Sequence, residues 1–312
     1  MNASFKKIST DFTSFRKLIN EDYIYVDKTG LLRELIEGSS KNIFLSRPRR
    51  FGKSLVLNTI LEIFSGDQDL FKGLQIEQSG YDFPKYPVLK LDMSIPCSSP
   101  EELRLEIFNA LTNLATKNGL TLKSTSYGAA LKELIEKTRD VHNKDVVVLI
   151  DEYDYPVSSK INNKTKANNN SEVLADFYAS FKSVNDLLRF ALVTGVTRNS
   201  MMGISAGLNN LDDISLDKKY AAICGFTPEE IDRYFADRYP AILQTLRKNN
   251  YSSKIEGRGV LSSLSDLKEE TLHWYDGYSW DGRTKVLNPI SVLKFIDTHT
   301  FKSYWALTST SS

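Results

Sequence analysis

Cysteine is scarce in this chain of 312 residues: Cys97 and Cys224 are the only two, far apart and without a metal-ligand neighbour in sequence. Two distant cysteines build no disulfide framework, so no disulfide partner is expected, and a reducing, cytoplasmic setting fits best. Long apolar runs are missing as well. None approaches the roughly 20 residues of a membrane span, and residues 1–11 lack the apolar stretch of a signal peptide, so no membrane partner is expected. An excess of one charge is also absent. Lys and Arg number 40 against 39 Asp and Glu, a net charge of +1, and bulk electrostatics therefore name no partner and give no ground for inferring nucleic-acid binding. Glycine and proline show no fibrous repeat, and no internal repeat is present. What remains is 41% hydrophobic and 25% charged, the composition of a soluble globular protein, with length for one large domain or two ordinary ones.

Local patterning predicts an α/β core. A short amphipathic segment is expected at 12–20, an extended one at 23–27, and a helix at 28–37 with Leu31, Leu32, Leu35 and Ile36 on one side. Strands are expected at 43–45, 87–93, 146–150 and 189–196, and helices at 55–61, 101–117, 129–138 and near 173–188. Val146 to Ile150 is almost wholly apolar, as in a central parallel strand buried on both faces. Residues 160–171, rich in Asn and Lys, read as a loop. Strands separated by long helical connections imply three layers. After residue 225 the pattern changes. Thr227-Pro228-Glu229-Glu230 is a helix start, further helices are expected at 241–246, 267–274 and 290–296, and 249–264 reads as a polar connection. The expected division is a core of residues 1–225 and a smaller, mainly helical region of residues 226–312.

The most informative stretch is Arg47-Pro48-Arg49-Arg50-Phe51-Gly52-Lys53-Ser54, followed by Leu55 at the head of a helical run. Strand, tight loop, Gly-Lys-Ser and helix is the arrangement that holds nucleoside triphosphate phosphates: loop N–H groups and the positive helix end meet the anion. Gly52 permits close approach, Lys53 would reach the β and γ phosphates, and Ser54 would supply a ligand to Mg2+. The common pattern has glycine where this chain has Arg47. Either the basic residues compensate by touching phosphate, or Arg47 takes a different backbone conformation. The plain alternative is a solvent-facing basic loop.

A second motif follows nearly a hundred residues later. Asp151 ends the apolar strand and is the natural carboxylate to coordinate or orient Mg2+. Glu152 is the candidate for orienting or activating the water that attacks the γ phosphate. Asp154 is a weaker candidate, with loop stabilisation as its other role. Thr194 and Thr197 flank the end of the next strand, where one of them would sense the γ phosphate or align water. Arg198 would stabilise negative charge in cis or across a subunit interface, or is simply a surface arginine beside a turn.

These motifs and others resemble the bacterial and archaeal AAA-ATPase-like family that is often joined to a PD-(D/E)XK nuclease-like domain. Carrying the resemblance are Phe15-Arg16-Lys17-Leu18-Ile19, Tyr25-Val26-Asp27-Lys28-Thr29, the 46–55 loop, Leu149-Ile150-Asp151-Glu152-Tyr153-Asp154 and Thr194-Gly195-Val196-Thr197. So do Gly207 to Ile214, Cys224-Gly225-Phe226-Thr227, Trp274 to Tyr278 and Asn288 to Leu293. It makes Arg47 a family form of the Walker A loop, with Walker B at 149–152. It implies a three-layer RecA/ASCE-type P-loop core with a smaller C-terminal helical region, and ATP and Mg2+ as ligands. It also implies that Tyr25, Asp27 and Lys28 lie near the nucleotide, unless they only fasten the opening segment. The Trp274 to Tyr278 patch either meets a partner domain or packs a helix before a glycine turn. The given sequence stops at Ser312, at the approach to the nuclease-like region, so it is either a truncated member or a standalone ATPase, and with no convincing nuclease triad no DNA cleavage is assigned to it.

The expected function is ATP binding and Mg2+-dependent hydrolysis coupled to a conformational switch, with an unknown protein or nucleic-acid partner and a homo-oligomer left open. The main alternative is a nucleotide-gated interaction module with little or no turnover. Phosphotransfer to another acceptor and a purely structural domain stand behind it.

Overall fold

The computed structural model describes residues 5–10, 13–197 and 210–305. Along the chain run α1 (Phe15–Asn20), α2 (Thr29–Ile36), β1 (Asn42–Ser46), α3 (Lys53–Ser65), α4 (Gln75–Gln78), β2 (Val88–Asp92), α5 (Pro100–Lys117), α6 (Tyr127–His142) and β3 (Val146–Asp151). Then follow α7 (Tyr155–Ser158), α8 (Lys164–Lys182), β4 (Leu188–Gly195), β5 (Asp212–Asp213), α9 (Pro228–Phe235), α10 (Tyr239–Lys248), α11 (Leu264–Tyr275) and α12 (Pro289–Thr298). The contacts group them into two compact units, neither continuous in sequence. One comprises residues 29–48 and 57–215, the other 1–28, 49–56 and 216–312.

The first unit is built on the sheet, in the order β2-β3-β4-β1-β5 with every pair parallel. All six residues of β3 are buried, as its unbroken apolar run requires of a strand covered on both faces. On one face, Val146, Val148 and Ile150 pack in a core with Leu103, Ile107 and Leu111 of α5, Leu131, Leu134 and Ile135 of α6, and Val173, Phe177 and Phe181 of α8. The alternate residues Val147 and Leu149 are equally buried and belong to the other face by the two-residue period of a strand. Strand β4 lies between β1 and β3, so the strand before the phosphate loop and the strand with the acidic end are not neighbours. That insertion marks the three-layer RecA/ASCE-type core, here accompanied by an additional helical region.

Two sequence expectations fail in this unit. Residues 164–171 are not loop but the first turns of α8. Asn163 caps the helix by accepting the Lys166 N–H at 3.1 Å. Buried Asn170 donates through Nδ2 to the Pro156 carbonyl at 2.8 Å and reaches Cys97 Sγ at 3.4 Å. These bonds outweigh the modest helix propensity of asparagine. The helix also stops at Lys182, and a short 3-10 turn, Asn185–Leu187, leads into β4.

The second unit has its own apolar core, in which Ile231 and Phe235 of α9 meet Tyr239, Ile242 and Leu246 of α10, Leu267 and Tyr275 of α11, and Val292 and Phe295 of α12. Helix α9 starts on a capping box between Thr227 and Glu230 with Pro228 at the first turn, as the sequence signature requires. The polar connection after α10 is anchored on buried Glu270. It accepts from Tyr251 Oη at 2.7 Å, the Lys254 N–H at 2.8 Å, Trp274 Nε1 at 3.1 Å and the Ser253 hydroxyl. Burial pushes the Glu270 carboxyl up, but these donors outweigh it and hold it below the ordinary carboxylate range. No helix among the described residues is long and apolar enough to cross a membrane.

Candidate functional site

Because the strands are parallel, their C-terminal ends share one edge of the sheet, the edge where open α/β sheets bind ligands. Register sets Asp92 beside Asp151 and Ser46 beside Gly195. Asp151 is buried, and its Oδ1 accepts from Thr194 Oγ1 at 2.7 Å and from the Glu152 N–H at 3.1 Å. Its Oδ2 takes no hydrogen bond among the described residues. The fully buried Thr194 hydroxyl thus donates to Asp151, fixing how that carboxylate is turned.

Beyond Asp151 the chain bends sharply. Glu152 has φ +51°, a left-handed conformation that costs a non-glycine residue about 1–2 kcal/mol. The turn is tied to β4 from several points. The Tyr153 N–H donates to the Thr194 carbonyl at 2.9 Å, and Tyr153 Oη to the Thr197 carbonyl at 2.8 Å. The fully buried Asp154 carboxylate accepts the N–H groups of Val196 and Thr197 at 3.2 and 3.3 Å. Of the two roles considered for Asp154, these bonds are those of loop stabilisation. Gly195 is forced by the crowding: a Cβ there would stand 2.3 Å from the Tyr153 ring and 2.6 Å from Asp154 Oδ1. Tyr178 Oη donates to the Tyr153 carbonyl at 3.3 Å, and burial, aided by Tyr153 and Asp154, pushes its phenol well above the usual range. Thr197 is exposed, and Arg198 lies outside the described residues.

Arg47 belongs to the same edge. Its N–H donates to the Gly195 carbonyl at 3.1 Å, extending the β1–β4 pairing by one residue. Its buried guanidinium donates through Nη1 to the carbonyls of Ser46 at 2.8 Å and Ser215 at 2.7 Å. The Ser46 N–H in turn donates to Ser215 Oγ at 2.8 Å. Arg47 is not among the residues of positive φ, so nothing in its backbone demands the glycine of the common pattern.

Residues 49–56, in the other unit, form the turn of the candidate phosphate loop and the start of α3. Arg50 has φ +70° and Gly52 φ +97°, with Phe51 between them outside the positive range. Such alternation makes successive N–H groups converge into an anion-binding concavity, and it leads into the positive end of a helix that begins at Lys53. The first helical bond runs from the Val56 N–H to the Gly52 carbonyl at 3.0 Å. Lys53 is buried, whereas Pro48, Arg49, Ser54 and Leu55 are half-buried and Arg50 is exposed.

Residues from the end of the chain hold this turn. The Gly225 N–H donates to the Phe51 carbonyl at 3.1 Å, and Trp305 Nε1 to the Arg49 carbonyl at 3.4 Å. The Phe51 ring lies edge-on to Tyr278 at 4.7 Å and to Trp280 at 5.7 Å. Sequence reasoning did not single out the contacts of Trp280 and Trp305 with this turn, and it read the Trp274 to Tyr278 patch as either helix packing or partner contact. Trp274 does pack within the helical core, stacked on Phe301 at 5.7 Å; Tyr278 instead meets Phe51. The crowding of aromatic residues around a Gly turn was the one available signal.

Asp27 and Lys28 tie down the opening segment. The Asp27 N–H donates to Tyr234 Oη at 3.2 Å, and Lys28 Nζ meets both Glu230 oxygens at 2.6 and 2.5 Å. Burial pushes the Lys28 ammonium below its ordinary range, and Glu230 opposes that shift.

Among the described residues, no three or more His, Cys, Asp or Glu side chains form a cluster that could hold a metal on their own. The candidate donors Asp151 and Ser54 are hard oxygens, and the two described bonds to the Asp151 carboxylate both fall on Oδ1. Oxygen donors of this kind suit a hard cation such as Mg2+.

A family profile described as predicted AAA-ATPase matches residues 10–205. The chain belongs to the AAA-ATPase-like family. One relative in this comparison, an uncharacterised protein in the vnfD 5′ region of Azotobacter chroococcum mcd 1, is 34% identical over 307 residues, which is 98% of this chain and 54% of the relative. This AAA-ATPase-like chain thus spans about half the length of the curated relative it matches. Among solved structures, the Aeropyrum pernix ORC2 protein in its ADPNP–ADP complexes aligns with 95% of this chain and 74% of its own, at 13% identity and a TM-score of 0.42. Drosophila ORC bound to GC-rich DNA and Cdc6 aligns over 92% of each chain at 12% identity and a TM-score of 0.31. These are loose likenesses, and the strand order carries the description of the fold.

Proposed function

We propose that this protein binds ATP at residues 47–55 and hydrolyses it in a Mg2+-dependent reaction that drives or times a conformational change. The observation that carries this reading is the alternation of φ at Arg50, Phe51 and Gly52 directly ahead of Lys53-Ser54 and the helix they open. Loop N–H groups in such a turn hold phosphate oxygens, and Lys53 neutralises the β and γ phosphates. Ser54 and Asp151 would each supply an oxygen ligand to Mg2+, and the ion would offset the negative charge of the transferring phosphoryl group. Thr194 keeps the Asp151 carboxylate turned for that task. Glu152 orients the attacking water, and Thr197 and Arg198 complete the polar surroundings of the γ phosphate. Asp27 flanks the nucleotide. A cytoplasmic setting, a protein or nucleic-acid partner and assembly into a homo-oligomer belong to the same reading.

The test is phosphate release by the purified protein with ATP and Mg2+, alongside Glu152→Gln and Lys53→Ala, with ATP affinity measured calorimetrically on each. Glu152→Gln is expected to bind ATP as wild type does while turnover falls about 10²–10⁴-fold, the contribution of a positioned general base. Lys53→Ala is expected to weaken binding itself. Binding by wild type without any turnover would replace hydrolysis with a nucleotide-gated interaction module. Absence of ATP binding would overturn the site.

A further inference from the structure

Phe51 occupies a position that phosphate-loop patterns leave variable, yet it is only 1% exposed. The turn it belongs to is grouped by its contacts with residues 216–312 rather than with the strand that precedes it. Three attachments account for this: Trp305 Nε1 on the Arg49 carbonyl, the Gly225 N–H on the Phe51 carbonyl, and the Phe51 ring against Tyr278 and Trp280. They bracket Arg50 and reach Gly52's neighbour, so C-terminal residues hold the segment whose backbone would cradle phosphate. Tyr278 and Trp280 themselves stack at 5.9 Å. They sit on a short ribbon closed by the Tyr278–Val286 bridge and by the Lys285–Asp276 ion pair at 2.7 Å. The same ribbon crowds Gly225, whose φ is +87° and where a Cβ would stand 3.0 Å from Val286 Cβ. Ring, ribbon and glycine thus form one packed assembly around the loop's main chain.

We propose that Phe51 is a positioning residue that locks the phosphate loop to the 276–286 ribbon through Tyr278 and Trp280, so that nucleotide in the loop and the state of the ribbon are energetically coupled. The coupling is reciprocal: whatever factor nucleotide exerts on the ribbon, the ribbon exerts on nucleotide affinity. A partner that engages the ribbon would therefore tune ATP binding without touching the nucleotide. This inference rests on the reading of residues 47–55 as the nucleotide site.

The test uses the full chain labelled with 5-fluorotryptophan. It has three tryptophans, so fluorine NMR gives three resonances assignable by Trp→Phe variants. Trp274, stacked on Phe301 in the helical core, is the internal control. ATP or ADP with Mg2+ is expected to shift the Trp280 resonance and leave Trp274 in place. Trp280→Ala and Phe51→Leu are expected to weaken ATP affinity about tenfold, within the usual range of coupling between sites, while Trp280→Phe, which keeps a ring, stays within about twofold of wild type. Trp280 is only half-buried, so its variants keep the test alive should Phe51→Leu fail to fold. If ATP binds by equilibrium dialysis but Trp280 does not move and Trp280→Ala binds as wild type does, the coupling is overturned and the nucleotide site stands. If wild type binds no ATP, both fall together.

Discussion

The candidate phosphate loop and the acidic edge of the sheet are held in opposite ways. At the acidic edge, side chains do the holding: Asp154 grips two N–H groups, Tyr153 reaches the Thr197 carbonyl, and Thr194 steers Asp151. At the loop, backbone groups and one ring are held from outside, by the Gly225 N–H, the Trp305 indole and the Tyr278–Trp280 pair. The contrast suits the proposed chemistry. Carboxylates that must point in one direction are braced by bonds to the carboxylates themselves or to their neighbours, while a loop whose main chain does the binding is braced through that main chain.

Paired glycines offer the sharpest way to break this comparison. Gly195→Ala drives a Cβ into the Tyr153 ring and the Asp154 carboxylate, both buried, and overpacking of that kind is expected to cost about 3 kcal/mol. Urea denaturation of the variant would read it. Gly225→Ala meets a milder contact but also a left-handed backbone, for an expected loss of about 2 kcal/mol. Its denaturation midpoint should therefore lie between those of wild type and Gly195→Ala; a larger loss at Gly225 would reverse the ranking of the two regions. The smallest effect has the opposite sign. Glu152→Gly and Arg50→Gly each relieve a left-handed residue at the expense of a more flexible unfolded chain, and each is expected to shift stability upward by no more than about 1 kcal/mol. A clear loss in either variant would mean that the side chain contributes more to the fold than its backbone strain removes.

Much of the sheet was legible in the sequence. Val146 to Ile150 announced a buried strand by composition alone, and Ile43 to Leu45 was recognisable because the phosphate-loop pattern follows it. Thr227-Pro228-Glu229-Glu230 announced α9 through local capping chemistry that needs no tertiary partner. The misses involve distant partners. Asn170 reads as loop until the Pro156 carbonyl is beside it. The two residues of β5 are Asp212 and Asp213, a poor strand by composition, and pairing with Ile43 and Phe44 makes them one. The insertion of β4 between β1 and β3 leaves no mark on any single strand. Of the candidate site, the residue types and their order were readable, because loop, lysine and paired acids are set by chemistry. The bracing was not: nothing near Phe51 in the chain points to Gly225 or Trp280, and nothing near Arg47 points to Ser215.

Arg47 carries a consequence for how such loops are found in genomes. A search that spells the motif with glycine in that place would pass over this chain, although the backbone there requires no glycine. What the position does require is a pair of carbonyl oxygens, from Ser46 and Ser215, to receive a buried guanidinium. The loop is better catalogued by the signs of its dihedral angles and by the acceptors waiting for its first residue than by its letters. In chains passed over for a missing glycine, the feature to seek is a turn after the fifth strand that aims a main-chain carbonyl at the loop's first residue.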